Sequence, residues 1–221
     1  MKTILDYLHI VPGITAVIGS GGKTSLLALC AELLKQKYKV ILSTSTHIFP
    51  FPGMETVTEE AAAVACLARD GVVCVGSRTP EGKLTVPDIP FSRLAELADF
   101  VLVEADGSKR LPLKAHLPHE PVIPEEANQT ICVVGLSAVG KSICDTAHRP
   151  ELFASLCGST PASIATAERI AAVLNEEHFH DRVLLNQLDS VSDPACAEAL
   201  AKMLCCPVVA GSIQKGSFQC L

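Results

Sequence analysis

Three short stretches of the chain carry residues whose types and spacing suit phosphate chemistry. The first is Gly19-Ser20-Gly21-Gly22-Lys23-Thr24-Ser25. Glycines at 19, 21 and 22 open backbone conformations closed to other residues, so successive N–H groups can turn towards one anion. A helix starting at Lys23 adds the partial positive charge of its N-terminus. Lys23 would neutralise the β- and γ-phosphates of ATP or GTP, and the Thr24 hydroxyl would coordinate Mg2+. The second stretch is Phe100 to Lys114, FVLVEADGSKRLPLK. Its apolar strand runs into Glu104-Ala105-Asp106-Gly107, and Glu104 and Asp106 share a parity, so both carboxylates can face one Mg2+. Asp-Gly is a common turn, which would account for Asp106 alone but not for a carboxylate at the end of a buried strand. Lys109, Arg110 and Lys114 follow at once and suit an anionic substrate or the charge of a transferred phosphoryl group. The third stretch is Asn186-Gln187-Leu188-Asp189. Asn186 and Asp189 match two positions of the guanine-reading string N-K-x-D, where the Asp accepts from a ring N–H and an exocyclic amine that adenine does not offer; Gln187 stands in place of the lysine.

The elements around these stretches are those a nucleotide site needs. Ile14 to Ile18 is a β-branched run that reads as a buried parallel strand, Lys23 to Lys37 as a helix, and Lys39 to Thr44 as a second strand, which together give strand, glycine loop, helix, strand. The second strand ends in Ser43-Thr44-Ser45-Thr46-His47. Ligands of an open parallel sheet lie beyond the carboxyl ends of its strands, so Thr46 and His47 are candidates to face substrate or metal. Further strands are expected at 71–75, 130–134, 182–185 and 207–210, with helices at 2–10, 58–69, 90–97, 150–157, 163–175 and 193–204. Ser77 to Pro87 reads as a hairpin turning at Pro80-Glu81-Gly82, an insertion at about 76–88. The tail to Leu221 is polar and expected to be loose. The pattern predicts an α/β fold, a mostly parallel sheet flanked by helices, in one nucleotide-binding domain spanning 1–221.

The loop at 19–25 departs from G-x-x-x-x-G-K-[ST], because Val17 stands where the first glycine belongs. The literal string occurs later, as Gly135-Leu136-Ser137-Ala138-Val139-Gly140-Lys141-Ser142. Its context is wrong: Pro150 comes too soon for a long helix starting at Lys141, and His148 and Arg149 fall where such a helix should be apolar. The first loop is therefore expected to hold the phosphates. His116, His119 and Glu120 lie in a proline-stiffened stretch and offer three potential metal ligands, a weak pattern for a metal site.

Composition narrows the classes. Hydrophobic residues make up 48% and charged residues 19% of the 221, as in a compact folded chain. A net charge of -6, two Tyr, no Trp and no basic run argue against nucleic acid. No stretch of about 18 apolar residues is present and residues 1–11 lack a leader pattern, so neither a membrane partner nor export is expected and a cytoplasmic protein is. The ten cysteines are scattered without a C-x-x-C pair, and Cys30, Cys66, Cys74 and Cys132 sit in apolar segments as small hydrophobes.

Taken in chain order, GSGGKTS, STSTH, VEADGSKRLPLKAH, HEPVIP, GLSAVGKSI with HRPE, and VLLNQLD resemble the selenium-dependent hydroxylase accessory proteins, also called YqeC-type selenium cofactor biosynthesis proteins. The resemblance implies a P-loop NTPase-like protein that binds nucleotide while selenium-containing molybdenum hydroxylases are matured, with a selenium or molybdenum cofactor species and a hydroxylase as its partners. Hydrolysis or phosphoryl transfer is the expected chemistry, with Lys23, Glu104 and Asp106 as the catalytic set. Two alternatives stand beside it: a nucleotide-gated binding or chaperone module with negligible turnover, and a small-molecule kinase. Ile18 occupies the position of the extra lysine in the deviant P-loop ATPases, so a dimer-activated ATPase of that kind is disfavoured.

Overall fold

The structure, a computed structural model, describes residues 2–221. In chain order the elements are α1 (Ile4–Tyr7), β1 (Gly13–Gly19), α2 (Lys23–Leu34), β2 (Val40–Thr44), β3 (Thr56–Val57), α3 (Glu60–Asp70), β4 (Val72–Val75), β5 (Ser77–Arg78), β6 (Leu84–Thr85), α4 (Phe91–Leu97) and β7 (Phe100–Glu104). They continue with β8 (Leu113–Lys114), β9 (Ala127–Gly135), α5 (Ile143–Thr146), β10 (Ala147–His148), α6 (Pro150–Leu156), α7 (Ala167–Glu177), β11 (Arg182–Asn186), α8 (Ala195–Ala201), β12 (Val208–Ser212) and β13 (Ser217–Cys220). Nine strands form one sheet in the order β13-β12-β11-β9-β1-β7-β2-β4-β3, and every ladder is parallel except β12–β13. The fold is α/β.

Side-chain alternation sorts the strands between two helical layers. Val17, Val40, Leu42, Phe100, Leu102, Ile131, Val133 and Leu184 pack with Leu26, Leu27 and Cys30 of α2 and with α1. The opposite parity of the same strands meets α3 and α4 towards one edge and α6, α7 and α8 towards the other. Strands buried on both faces read as continuous apolar runs because each parity has a helix to meet. The consequence for function is positional: β1 lies between β7 and β9, with Val17 paired to Glu104 and Gly19 to Val133, so the acidic strand end and the glycine loop emerge side by side. The β5–β6 ribbon stands apart from this sheet as a two-stranded antiparallel pair.

Three features differ from the sequence expectation. The tail is not loose: β13 adds antiparallel to β12, because Phe218 points inward onto Tyr7 with ring centroids 6.4 Å apart, and Gly211 leaves room for it. The helix expected from Ser163 starts at Ala167, where the Thr166 side chain caps it by accepting from the Arg169 amide at 3.4 Å. The residues before it bridge to Ser142 instead. The two-residue ladders β3 and β8–β10 have no periodic signal and exist only through their tertiary partners.

Leu102 is fully buried in the strand that carries Glu104. Leu102→Ala is expected to lower the unfolding free energy by about 2–5 kcal/mol in urea titration, the usual cost of a cavity at a site that cannot collapse.

Candidate functional site

The loop between β1 and α2 is shaped by glycines. Gly19, Gly21 and Gly22 take φ of 86°, 94° and 133°, the region closed to most side chains. A Cβ on Gly19 would strike the Val133 carbonyl, one on Gly21 would come within 2.5 Å of the Gly135 backbone, and one on Gly22 within 2.5 Å of Asn186 Nδ2. The loop is also braced from outside. The Ser20 amide donates to Val133 O at 2.7 Å and the Ser20 hydroxyl donates to Leu111 O. Asn186 Nδ2 donates to Gly21 O at 2.8 Å while its Oδ1 accepts from the Ile213 amide at 3.0 Å. The first helical bond is Leu26 N–H to Gly22 O at 2.9 Å, so the amides of residues 22–25 precede any intrahelical partner and are left to serve an anion.

The charged groups converge beneath this cradle. Lys23 is buried; its ammonium donates to Gly19 O at 2.7 Å and to Ser108 Oγ at 3.1 Å, and lies 2.8 Å from Asp106 Oδ1 and 3.7 Å from Glu104 Oε1. The Thr24 hydroxyl donates to Glu104 Oε2 at 2.8 Å. Asp106 Oδ2 accepts the Gly19 amide at 2.7 Å and meets His116 Nε2 at 2.6 Å. The other ring nitrogen of His116 lies 2.8 Å from Glu177 Oε2 on α7. Beside this row, Lys114 Nζ donates to Gly107 O at 2.6 Å and pairs with Glu120 at 2.8 Å, and Glu120 pairs with Arg149 at 2.6 Å.

The two acids sit in different fields. Burial pushes the Glu104 carboxyl above the usual carboxylate range, against the pull of Lys23 and Thr24. Burial acts on Asp106 too, but Lys23, His116 and Lys114 outweigh it and hold its carboxyl well below that range. For His116 burial pulls downward and Asp106 and Glu177 overcome it, so the ring is held above its ordinary value. Glu120 is desolvated as well, yet Arg149 and Lys114 bring it down to about 2.

A cavity of about 590 Å³ opens over the loop, walled by Gly21, Gly22, Lys23, Thr24, Ser25 and Glu104 and continuing past Lys109 and Arg110 to His47, Phe49 and Lys83. The sequence-predicted residues thus meet in part. His47, Lys109 and Arg110 face it. Thr46 does not line it, and its buried hydroxyl has no partner among the described residues. Lys114, expected to face substrate, is corrected: its side chain is fully enclosed and bound to Gly107, Asp106 and Glu120. Asp106, expected to share one Mg2+ with Glu104, is corrected as well, because its oxygens are turned to Lys23, Gly19 and His116. Asn186 works as a brace, and Asp189 lies off the cavity wall, 3.6 Å from Lys215. Among the described residues no three His, Cys, Asp or Glu side chains form a metal-holding group, and His116 of the proline-stiffened stretch is engaged with Asp106 and Glu177.

The literal motif at 135–142 builds no cradle. Gly135 closes β9, Leu136–Ala138 is a 3-10 turn, and the helix after Lys141 has four residues. Gly135 instead packs against Gly21 of the first loop, and a Cβ on it would come within 2.6 Å of Gln187 Oε1 and 2.7 Å of Pro112 Cβ. Phe49 and Lys83 also wall the cavity, though the sequence offers no sign of it. Neither belongs to a motif, and only the fold brings the loop after β2 and the β5–β6 ribbon to the same opening.

The family model described as YqeC protein matches residues 15–151. The uncharacterized protein YqeC of Escherichia coli (strain K12) is 34% identical over 192 residues, covering 78% of this chain and 75% of the relative. Among solved structures, the hydrogenase maturation factor HypB from Archaeoglobus fulgidus superposes with a TM-score of 0.47 at 12% identity, covering 93% of this chain and 84% of that one.

Removing the Asp106 charge leaves Lys23 buried beside a single, more distant carboxylate. Asp106→Asn is expected to cost about 3–5 kcal/mol near neutral pH. A carboxyl held low in the folded state contributes stability above the ordinary value of about 3.9 and loses it as pH falls below that, so the gap between wild type and variant should shrink from pH 7 to pH 3 in urea titrations.

Proposed function

The chain belongs to the YqeC family, and we propose that it binds a Mg2+–nucleoside triphosphate at residues 19–25 and hydrolyses it or transfers its phosphoryl group. The observation that carries this is the Thr24–Glu104 contact of 2.8 Å beside the Lys23 ammonium, at the foot of a loop whose glycines cannot be replaced without collision. These residues fit Mg2+: a hydroxyl and a carboxylate are the hard oxygen donors it takes, and Thr24 and Glu104 would hold it. When bound, the ion would neutralise charge on the β- and γ-oxygens. The chain does the rest. The amides of 22–25 hold the phosphates, Lys23 supplies positive charge beside them, and Asp106 pairs with that lysine and holds it in place. Lys109 and Arg110 face the side from which an acceptor or water would approach. Asn186 ties the loop to Ile213 just after β12, and Asp189 beyond it is proposed to choose guanine.

The setting we propose is cytoplasmic maturation of selenium-dependent molybdenum hydroxylases, supported by the six segments that resemble that family. One observation favours a second reading, a nucleotide-gated binding module. Lys23, Asp106, His116 and Glu177 form a continuous row from the phosphate loop to α7, so a phosphate that draws on Lys23 would be felt on a helix facing the opposite layer. Hydrolysis that stays negligible with and without a hydroxylase partner would favour it.

Calorimetric titration with ATP and GTP in Mg2+ tests the site. Lys23→Ala is expected to weaken binding by about ten- to a hundredfold while Lys141→Ala leaves it unchanged. Binding that survives Lys23→Ala and vanishes in Lys141→Ala would place the phosphates on the other loop. Asp189→Ala is expected to erase a preference for GTP over ATP and leave ATP affinity as it was.

A further inference from the structure

The cavity extends well beyond the phosphate cradle, and in one direction. Strands β11 and β12, which carry Asn186 and the loop at Ile213, lie on one side of β1; β2 and β4 lie on the other, beyond β7. A base read near Asn186 and Asp189 would occupy the first side. The second side is walled by Phe49, Pro50 and Pro52 after β2, by Lys83 from the β5–β6 ribbon, and by Lys109 and Arg110.

That side combines unpaired positive charge with an apolar wall. Lys83, Lys109 and Arg110 make no salt bridge or side-chain hydrogen bond among the described residues, although the chain as a whole is acidic. The acids on the wall are engaged, Glu104 with Thr24 and Glu120 with Lys114 and Arg149, as is Asp106 beneath it with Lys23; Glu81 in the ribbon turn feels Lys83 and His47 but forms no ion pair with either. Lys83 Nζ and the Arg110 guanidinium both lie over the Phe49 ring, at 5.6 and 5.2 Å from its centroid, and the ring itself remains 61% exposed. Lys109 and Arg110 have φ of 48° and 62°, two consecutive non-glycine residues in the left-handed region. Such a pair persists only where its surroundings fix it. Here the loop is pinned on both flanks, by Lys114 to Gly107 O, by Ser20 to Leu111 O and by the Gly135 amide to Pro112 O at 2.9 Å. At its inner end His148, also on the wall, has a buried Nδ1 without a partner among the described residues.

We propose that this flank is a second ligand subsite, which takes a small organic anion, a phosphate or carboxylate on an apolar body, alongside the nucleotide. The cations Lys83, Lys109 and Arg110 meet the charge, and Phe49, Pro50 and Pro52 meet the body. The proposal rests on the nucleotide reading only in placing the second ligand beside a phosphate; the subsite itself is built from residues outside the cradle.

The test is a protein-observed NMR titration with phenyl phosphate, benzoate and inorganic phosphate, in saturating Mg2+ and a non-hydrolysable nucleotide, on wild type and on Phe49→Ala/Lys83→Ala. Both substituted side chains lie at the surface end of the cavity, so the variant is expected to fold and to keep its nucleotide affinity. Saturable shifts at His47, Phe49, Lys83 and Arg110 with phenyl phosphate or benzoate, weakened about tenfold in the variant, support the subsite. The stronger of those two ligands then identifies the anion. Absence of saturable shifts, equal affinity in the variant, or inorganic phosphate binding as tightly as phenyl phosphate overturns it. If wild type binds no nucleotide, the cradle reading fails on its own, and the same titration without nucleotide still decides the subsite.

Discussion

The arrangement depends on the pairing of one buried lysine with Asp106. Lys23 is only 3% exposed, and an ammonium in that position is tolerated only with an opposite charge and further acceptors around it. Asp106 supplies the charge and Gly19 O the acceptor. Asp106 then needs its own donors, which is why the Gly19 amide, His116 and Lys114 gather on it. His116 in turn requires Glu177, and Lys114 requires Glu120. The requirement spreads from the middle of the sheet to α7 and the 149 region, joining segments far apart in sequence.

Two carboxylates two residues apart end up with opposite properties through this. Glu104 closes β7 on the α2 layer, where burial dominates and only Thr24 and a distant Lys23 oppose it. Asp106 has left the strand and sits among cations. One is a carboxyl raised by burial and held by a hydroxyl, and the other remains ionised as a fixed counter-charge. Parity along an extended chain does not separate them, because the backbone turns between them.

Legibility in the sequence depends on how local the cause is. The strand, glycine loop, helix and strand of residues 13–44 are legible because each residue type acts on its own backbone. Glu104 is legible because a charge at the end of an apolar strand needs a reason. Lys114 reads as a free cation, since its partners Glu120 and Asp106 are set by a turn that no pattern announces. The tail reads as loose because Phe218 gains its role only from Tyr7, at the far end of the chain. Gly135 to Ser142 matches a regular expression, yet the helix after it has only four residues, so the string lacks the crossover that would give it meaning.

The opening is walled by two kinds of material, and this has an evolutionary side. One wall is sheet and glycine loop, where Gly21 and the Gly135 backbone already touch and almost no substitution fits. The other wall is the loop after β2 and a two-residue ribbon, Ser77–Arg78 with Leu84–Thr85, that stands outside the main sheet. Leu84 anchors that ribbon in the core, but the exposed turn at Glu81 and Gly82 meets none of the nine strands, so that turn can vary among relatives at less cost to the fold than the glycine loop can.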